Sequence, residues 1–395
     1  MQIRRVRYSD IEQVPYLKVN NNFKTDFFGS SPAPFIGRYG YPNVNIGILS
    51  PQVMGDTSQY NSPNLWSKKK FAIGRIASMR HGLVNSRSQS NVKDMQGRFM
   101  EIIQEVGMAK TSAELEINLK KKPQLQLKPE KEVTPYGPQA GIRKARITEN
   151  VKVDSRVERV VYDTDLKAAP AIVSLYKKGF EESSLNKLIS VGNLGLKNKR
   201  KLVPTRWCIT AVDDTIGKEL IREIKDYSVG EYQAYFGGGW GNYYLLLFFP
   251  EVWSYELFET YINSKVNPWS KKGYMYSTDY EDYNGRKKYA EETAGGYYAC
   301  RMGILEKMRS LKRQGSCLAL RFITPEYNIP LGVWVCREAA RKSAGSIPIT
   351  FSDKDLLLKY AKAVVKKKFG FDLDVLLKES KLLKNMKEQR KIWEF

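Results

Sequence analysis

Glu231-Tyr232-Gln233-Ala234-Tyr235-Phe236-Gly237-Gly238-Gly239-Trp240-Gly241-Asn242-Tyr243-Tyr244-Leu245-Leu246-Leu247-Phe248-Phe249 reads as two strands joined by a turn. The second arm, Tyr243 to Phe249, is a short apolar and aromatic run of the kind that fills a buried strand. Phe236 to Asn242 is too rich in glycine for a strand interior, and its permissive backbone suits a hairpin turn between Glu231–Tyr235 and Tyr243–Phe249. It lacks the lysine of a GxxxxGK[ST] loop and is not a nucleotide-binding P-loop.

Outward from this hairpin, Trp207 to Val212 and Cys317 to Ile323 have the same apolar, β-favouring character and predict further strands. Ile216 to Asp226 and Tyr255 to Ile262 favour helix. Ala290 to Arg313 predicts a long helix with Tyr298, Met302, Leu305 and Met308 on one side. Asp353 to Lys368 and Asp372 to Phe395 predict two basic amphipathic helices separated by Phe369-Gly370-Phe371. Upstream, Val44–Ile48, Val151–Val153 and Val157–Tyr162 read as strand, whereas Phe99–Val106, Asp165–Lys178 and Glu181–Ser190 have helical spacing. The fold class is therefore α+β (mixed α/β), with a sizeable mixed sheet, packed helices and a basic helical C-terminus. Residues 1–109 form a Gly/Pro/aromatic-rich region. Residues 110–150 lose nearly all aromatics and gain Lys120-Lys121-Lys122-Pro123, the composition of a basic linker or long surface loop. Residues 151–388 form the main α+β domain, and 389–395 a tail.

The formal net charge of +23, from 65 Lys+Arg against 42 Asp+Glu over 395 residues, draws in a polyanionic partner with strong salt dependence. A lysine-rich proteome is the competing source of such charge. Cys208, Cys300, Cys317 and Cys336 form no CxxC pair and read as core residues in a reducing compartment. With His81 the sole histidine, no zinc site of ordinary Cys/His composition is visible. Met1-Gln2-Ile3-Arg4-Arg5 lacks an apolar signal core, and no run approaches the ~18 apolar residues of a membrane span. A cytoplasmic location and no membrane partner are expected.

Several segments could carry chemistry. Lys197 to Trp207 joins a basic loop to an apolar run, so Lys199, Arg200, Lys201 and Arg206 are candidate phosphate contacts, with Trp207 in the core. Gly37-Arg38-Tyr39-Gly40-Tyr41-Pro42 and the cluster Arg75, Arg80, His81 and Arg87 interleave cations with aromatic and small polar residues, a mixture that suits nucleic acid. His81 reads as a structural, partly buried histidine. Asp213-Asp214 either cap the following helix or, with Asp163 or Asp165, hold Mg²⁺. Tyr276, Asp279, Tyr280, Asp282 and Tyr283 read as an acidic-aromatic surface excursion. No cofactor and no catalytic residue is identified.

In Gln389-Arg390-Lys391-Ile392-Trp393-Glu394-Phe395, Gln389, Ile392 and Phe395 fall at i, i+3 and i+6, with Trp393 one position early for a paired aromatic. One helical turn with this spacing presses Ile392, Trp393 and Phe395 into a groove while the amide reaches beside it, and it looks like a peptide that binds the PCNA sliding clamp. The alternative is that these side chains pack the end of the preceding helix onto the core.

Ser30-Ser31-Pro32, Gly37 to Pro42, Asp163 to Ala168, Arg200 to Asp214, Gly295 to Ala299 and Gly332 to Glu338 together resemble the Nre family of archaeal DNA-repair proteins. The Val203 to Asp214 block is long and unusual enough to be specific. The resemblance implies DNA repair and places a clamp-binding motif on Gln389, Ile392 and Phe395. Many relatives begin with a cysteine-rich, zinc-finger-like segment that this sequence lacks at Met1-Gln2-Ile3, so no zinc role is carried over. The expected function is a repair protein that binds DNA through its basic surface and is recruited to PCNA by its tail. Alternatives are a nuclease or nucleotide-processing enzyme using Asp213, Asp214, Arg38 and Arg206, or an RNA-binding protein with a structural tail.

Overall fold

Pro32 interrupts what would otherwise be one long strand, because proline cannot donate to a ladder. In a computed structural model describing residues 22–124, 133–262 and 275–388, β1 (Asp26–Ser31) and β2 (Ala33–Ile36) flank that proline. Then follow β3 (Asn43–Ser50), α1 (Pro63–Lys68), α2 (Ile73–His81), β4 (Val84–Asn91), α3 (Arg98–Met108), β5 (Ala113–Leu119) and β6 (Gln139–Ile147). Four helices complete this stretch: α4 (Ser155–Tyr162), α5 (Ala168–Lys177), α6 (Glu182–Ser190) and α7 (Thr205–Ile224). The chain divides into two units within α7. The first comprises the described residues to Ile216 with Ile329–Gly332, and the second comprises Gly217–Asn328 and the described residues from Val333.

The sheet of the first unit has the order β1-β5-β6-β4-β3-β2, antiparallel except for a short parallel pairing of β4 with β6. Its two ends, β1 and β2, are one chain bent at Pro32, so the sheet closes on itself as a barrel. Val44, Ile46 and Ile48 of β3 and Leu115, Ile117 and Leu119 of β5 fill the core together with Met100, Ile103 and Val106 of α3. The supposed linker, 110–150, is corrected here. Ala113 to Leu119 alternates buried with half-buried residues, as a strand with one face on the core must, and β6 lies at the centre of the sheet. Val157 to Tyr162 is helix rather than strand, with Val157, Val160 and Val161 on its buried stripe and the Asp154 carboxylate accepting the Arg156 N–H at 3.0 Å. Of Val151–Val153, only Val153 makes an isolated bridge, to Ala109. Trp207 to Val212 is likewise helical, the first turns of α7. Cys208, Val212, Ile216, Leu220 and Ile224 are all buried at four-residue steps.

The second unit holds β7 (Tyr232–Gly239), β8 (Asn242–Phe249), β9 (Ser254–Tyr261), β10 (Met275–Glu281), α8 (Ala294–Leu311), β11 (Ser316–Ile323), α9 (Trp334–Ala344), β12 (Ile349–Phe351), α10 (Lys354–Phe369), α11 (Asp374–Leu377) and α12 (Lys381–Glu388). Its sheet order is β10-β9-β11-β8-β7-β12, with β9 and β11 parallel. Leu245, Leu247, Phe249, Leu318, Leu320, Phe322 and Phe258 turn one face toward Leu357, Ala361, Val365, Leu376 and Leu382 of α10–α12. Tyr244, Arg321 and Glu259 stand in register on the other face. The hairpin forms as the sequence predicts, but strand pairing runs through Gly239, and the turn is Trp240-Gly241, both at positive φ. The glycines admit α9, since a Cβ on Gly237 would lie 2.9 Å from the Ser343 Cα. Tyr255 to Tyr261 lies in β9 rather than in a helix, and Asp372 onward forms two short helices among the described residues rather than one. The supposed acidic excursion at 276–283 includes β10, where Asp279 accepts from the Thr293 N–H at 2.8 Å and pairs with Arg286 at 3.0 Å. No helix of the described residues is long and apolar enough to cross a membrane.

Gly296 of α8 leaves no room for a side chain against Glu259 of β9. A Cβ there would lie 2.6 Å from Glu259 Oε1, the atom that receives Arg321. Gly296→Ala is therefore expected to lower stability by about 1–3 kcal/mol through overpacking, read as a shift in the denaturant midpoint.

Candidate nucleic-acid interface

The connection between β2 and β3 is a tight turn closed by two backbone bonds. Gly37 N–H donates to the Asn45 carbonyl (2.7 Å), and Asn43 N–H donates to the Gly40 carbonyl (2.9 Å) with Gly40 at φ +82°. The turn holds Tyr39 and Tyr41 outward, 68% and 45% exposed, with Arg38 half-buried beside them. The Arg38 guanidinium lies 4.7 Å from the Tyr39 ring centre and donates to its hydroxyl at 2.9 Å. Trp207, in the first turn of α7, is 44% exposed and meets Tyr41 with ring centres 5.2 Å apart. This differs from the core position that the sequence predicts for Trp207. Because the segment is helix, Cys208 takes the inward direction and Trp207 stays at the surface.

Three chain segments are laced together beneath this pair. Val92 N–H donates to the Pro42 carbonyl (2.9 Å), Leu202 N–H to the Val92 carbonyl (2.8 Å), and Ile36 N–H to Thr205 Oγ1 (3.0 Å). The stretch 197–207, which contains five cations and no acidic residue, is thereby fixed beside the turn at 37–42. Lys197, Lys199 and Lys201 are exposed, and Arg206 is half-buried.

Other predicted cations serve the fold. Arg200 donates to the carbonyls of Gly195 (2.8 Å), Val161 (2.7 Å) and Asp163 (3.2 Å), and burial lowers its pKa. Arg80 is 3% exposed and donates to the carbonyls of Pro135 (2.7 Å) and Tyr60 (3.1 Å) and to Asn61 Oδ1 (3.0 Å), with burial drawing its pKa down to about 9. Arg80 ties loops together from inside, and the half-buried Arg200 clips three carbonyls at the edge of the basic segment. Arg75 is exposed on α2 with its guanidinium 3.7 Å from the Phe71 ring centre. His81 is structural as read: it is buried, its Nδ1 lies 2.7 Å from the Ala77 carbonyl oxygen, and burial lowers its pKa.

Asp213 and Asp214 lie in the third turn of α7, so they do not cap its start, and Asp213 is fully buried. Asp163 Oδ1 accepts the N–H groups of Asp165 (3.1 Å) and Leu166 (3.0 Å). Among the described residues, no three His, Cys, Asp or Glu side chains converge as a metal site. The sequence reading missed the exposed and half-exposed amides along β3 and β4, where Asn45 faces Gln89 and Asn43 accepts from Asn91 at 2.8 Å. Their signal was the polar-apolar alternation of Asn43-Val44-Asn45-Ile46.

In the second unit, the buried Glu256 carboxylate caps α12. It accepts from the N–H groups of Lys381 (3.0 Å) and Leu382 (3.1 Å) and from the Ser380 hydroxyl (2.5 Å). Gln389, Ile392, Trp393 and Phe395 follow directly and lie outside the described residues.

Two family models match the chain: the archaeal Nre N-terminal region over residues 9–269 and the archaeal Nre C-terminal region over residues 281–395. A DNA repair protein NreB of Archaeoglobus fulgidus is 34% identical over 385 residues, 97% of this chain and 95% of that protein. A DNA repair protein NreA of Haloferax volcanii is 37% identical over 321 residues, 79% of this chain and 76% of that protein. A DNA repair protein NreA of Archaeoglobus fulgidus is 34% identical over 344 residues, 86% and 85% respectively. No solved structure matches the chain.

Proposed function

The chain belongs to the archaeal Nre family, and from that premise we propose that it is a DNA-repair protein that binds DNA through the surface around Tyr41 and Trp207 and is recruited to the PCNA clamp by residues 389–395. The observation that carries the DNA contact is an exposed pair of aromatic rings beside a five-cation segment without a single acid. Rings left open to water are natural partners for base faces, and lysines on flexible stems neutralise the phosphates that accompany them. The net charge of +23 adds long-range attraction for the same polyanion.

The clamp contact is supported by the Gln389, Ile392 and Phe395 spacing. It is supported also by α12, capped at its start by Glu256 and immediately preceding the motif in sequence. A short peptide and a basic surface on one molecule act as two tethers, so modest individual affinities combine into a durable complex on clamp-encircled DNA.

Fluorescence anisotropy with labelled DNA tests the DNA contact. Tyr41→Ala with Trp207→Ala is expected to lose about 1–3 kcal/mol per stacked base at an unchanged melting temperature. Lys199→Glu with Lys201→Glu is expected to reduce the dependence of log K on log salt by about two contacts' worth. Wild-type affinity and slope in both variants would remove this surface from consideration.

A further inference from the structure

We infer that the barrel of the first unit is an oligonucleotide-binding (OB) barrel and that its ligand is single-stranded DNA laid across β3 and β4; this rests on the DNA-binding reading above and names the form of DNA that it takes. When β1 and β2 are counted as one bent first strand, β3, β4, β5 and β6 become the second to fifth. The order around the barrel is then first, second, third, fifth, fourth and back to first, with the third and fifth parallel and all other pairs antiparallel. α3 bridges the third and fourth strands and supplies Met100, Ile103 and Val106 to the barrel core. This is the connectivity of the OB-fold, a five-stranded Greek-key barrel. It binds oligonucleotides on the face of its second and third strands, between the first-to-second and fourth-to-fifth connections.

Topology alone does not assign a ligand, but the side chains at those three places agree. The first-to-second connection is the turn carrying Arg38, Tyr39 and Tyr41, with both tyrosines exposed. The fourth-to-fifth connection opens with Lys120, Lys121 and Lys122, all exposed. Between them, the second and third strands present amides in register, Asn45 opposite Gln89 and Asn43 opposite Asn91. Arg87 stands in register with Gly141 of β6, along which the Lys120 stem lies, its Cδ 3.4 Å from where a Cβ would be. Ring faces stack on bases, amides hydrogen-bond base edges, and cations hold phosphates. The first two of these need bases that are unpaired and splayed, because a duplex keeps its faces stacked and its pairing edges occupied. The combination of rings and amides on one face therefore selects a single strand, whereas a cationic surface alone would serve either form.

The test is equilibrium binding of a 15-nucleotide single strand and of the same sequence as duplex, at one salt concentration. Wild type is compared with Tyr41→Ala and with Gln89→Glu, an exposed position whose change leaves the barrel core untouched. The expected result is a preference for the single strand of about tenfold or more, the scale of one or two base stacks. That preference should fall in both variants while their thermal unfolding stays at the wild-type temperature. Duplex bound as tightly as the single strand, or a single-strand preference unmoved by either change, would overturn the inference and leave the general DNA contact standing. Absence of binding to either form would overturn both.

Discussion

Replacing Gln389, Ile392 and Phe395 together by alanine is expected to abolish binding to the PCNA clamp while DNA affinity stays at the wild-type level. Two apolar anchors worth about 2 kcal/mol each in a desolvated groove and one amide hydrogen bond worth about 1 kcal/mol sum to roughly a thousandfold or more in affinity. A micromolar peptide would then fall below detection in calorimetry. Stability should not change, because α12 is held by contacts that precede the tail: Glu256 caps its first turn, Asn385 donates to the Tyr280 hydroxyl at 2.9 Å, and Leu382 and Leu383 are buried. A variant that melts markedly lower yet keeps its clamp affinity would return the tail to the core-packing role.

The other large effect concerns stability. Arg301 of α8 and Glu281 of β10 meet at 2.7 Å with side chains 1% and 0% exposed, and Trp253 Nε1 donates to the same carboxylate at 3.2 Å. Removing one member takes a charged partner from the other in a low-dielectric interior. Arg301→Ala and Glu281→Ala are each expected to cost about 3–5 kcal/mol, a substantial part of the ~5–15 kcal/mol that holds a typical protein folded. The double change Arg301→Met with Glu281→Leu should recover most of that loss, because an apolar pair of similar volume removes the desolvation penalty together with the attraction. Urea titration of the four proteins checks this. Equal losses in single and double variants would mean that packing, not charge, makes this contact important.

How much of the fold was legible depended on whether each segment kept one clean face. β3 was readable because Val44, Ile46 and Ile48 alternate with polar residues, and α3 because Met100, Ile103 and Val106 recur at helical steps. β9 was misread as helix because Tyr255 to Thr260 are all buried; a strand covered on both faces erases the alternation that would reveal it. α7 was misread at its start because a six-residue window of Trp, Cys, Ile, Thr and Val looks extended. Its four-residue burial stripe emerges only when the reading is carried from Cys208 to Ile224. β5 was hidden by composition, since lysines and prolines just after it dominate the 110–150 window although its own residues alternate.

The candidate surface was legible in its parts and not in its assembly. Arg38, Lys199 and Lys201 were singled out from local chemistry, as was the aromatic turn at 37–42. That Tyr41 would meet Trp207, 166 positions later, depends on the Pro42–Val92–Leu202 hydrogen bonds, which no local pattern encodes. Arg80 and Arg200 looked like phosphate ligands for the same reason that they make good loop clips: a planar fork of donors satisfies several carbonyls as readily as it does phosphate oxygens.

In the proposed arrangement the barrel surface and the tail are two attachments of one molecule to DNA and clamp. It is tested most directly by measuring affinity for PCNA alone and for PCNA encircling a DNA circle with a single-stranded gap. The encircled clamp is expected to be bound about a hundredfold tighter, as for tethered sites, and Tyr41→Ala with Trp207→Ala is expected to reduce this advantage to nearly nothing without changing affinity for free clamp. Equal affinity for the two forms of the clamp would contradict it.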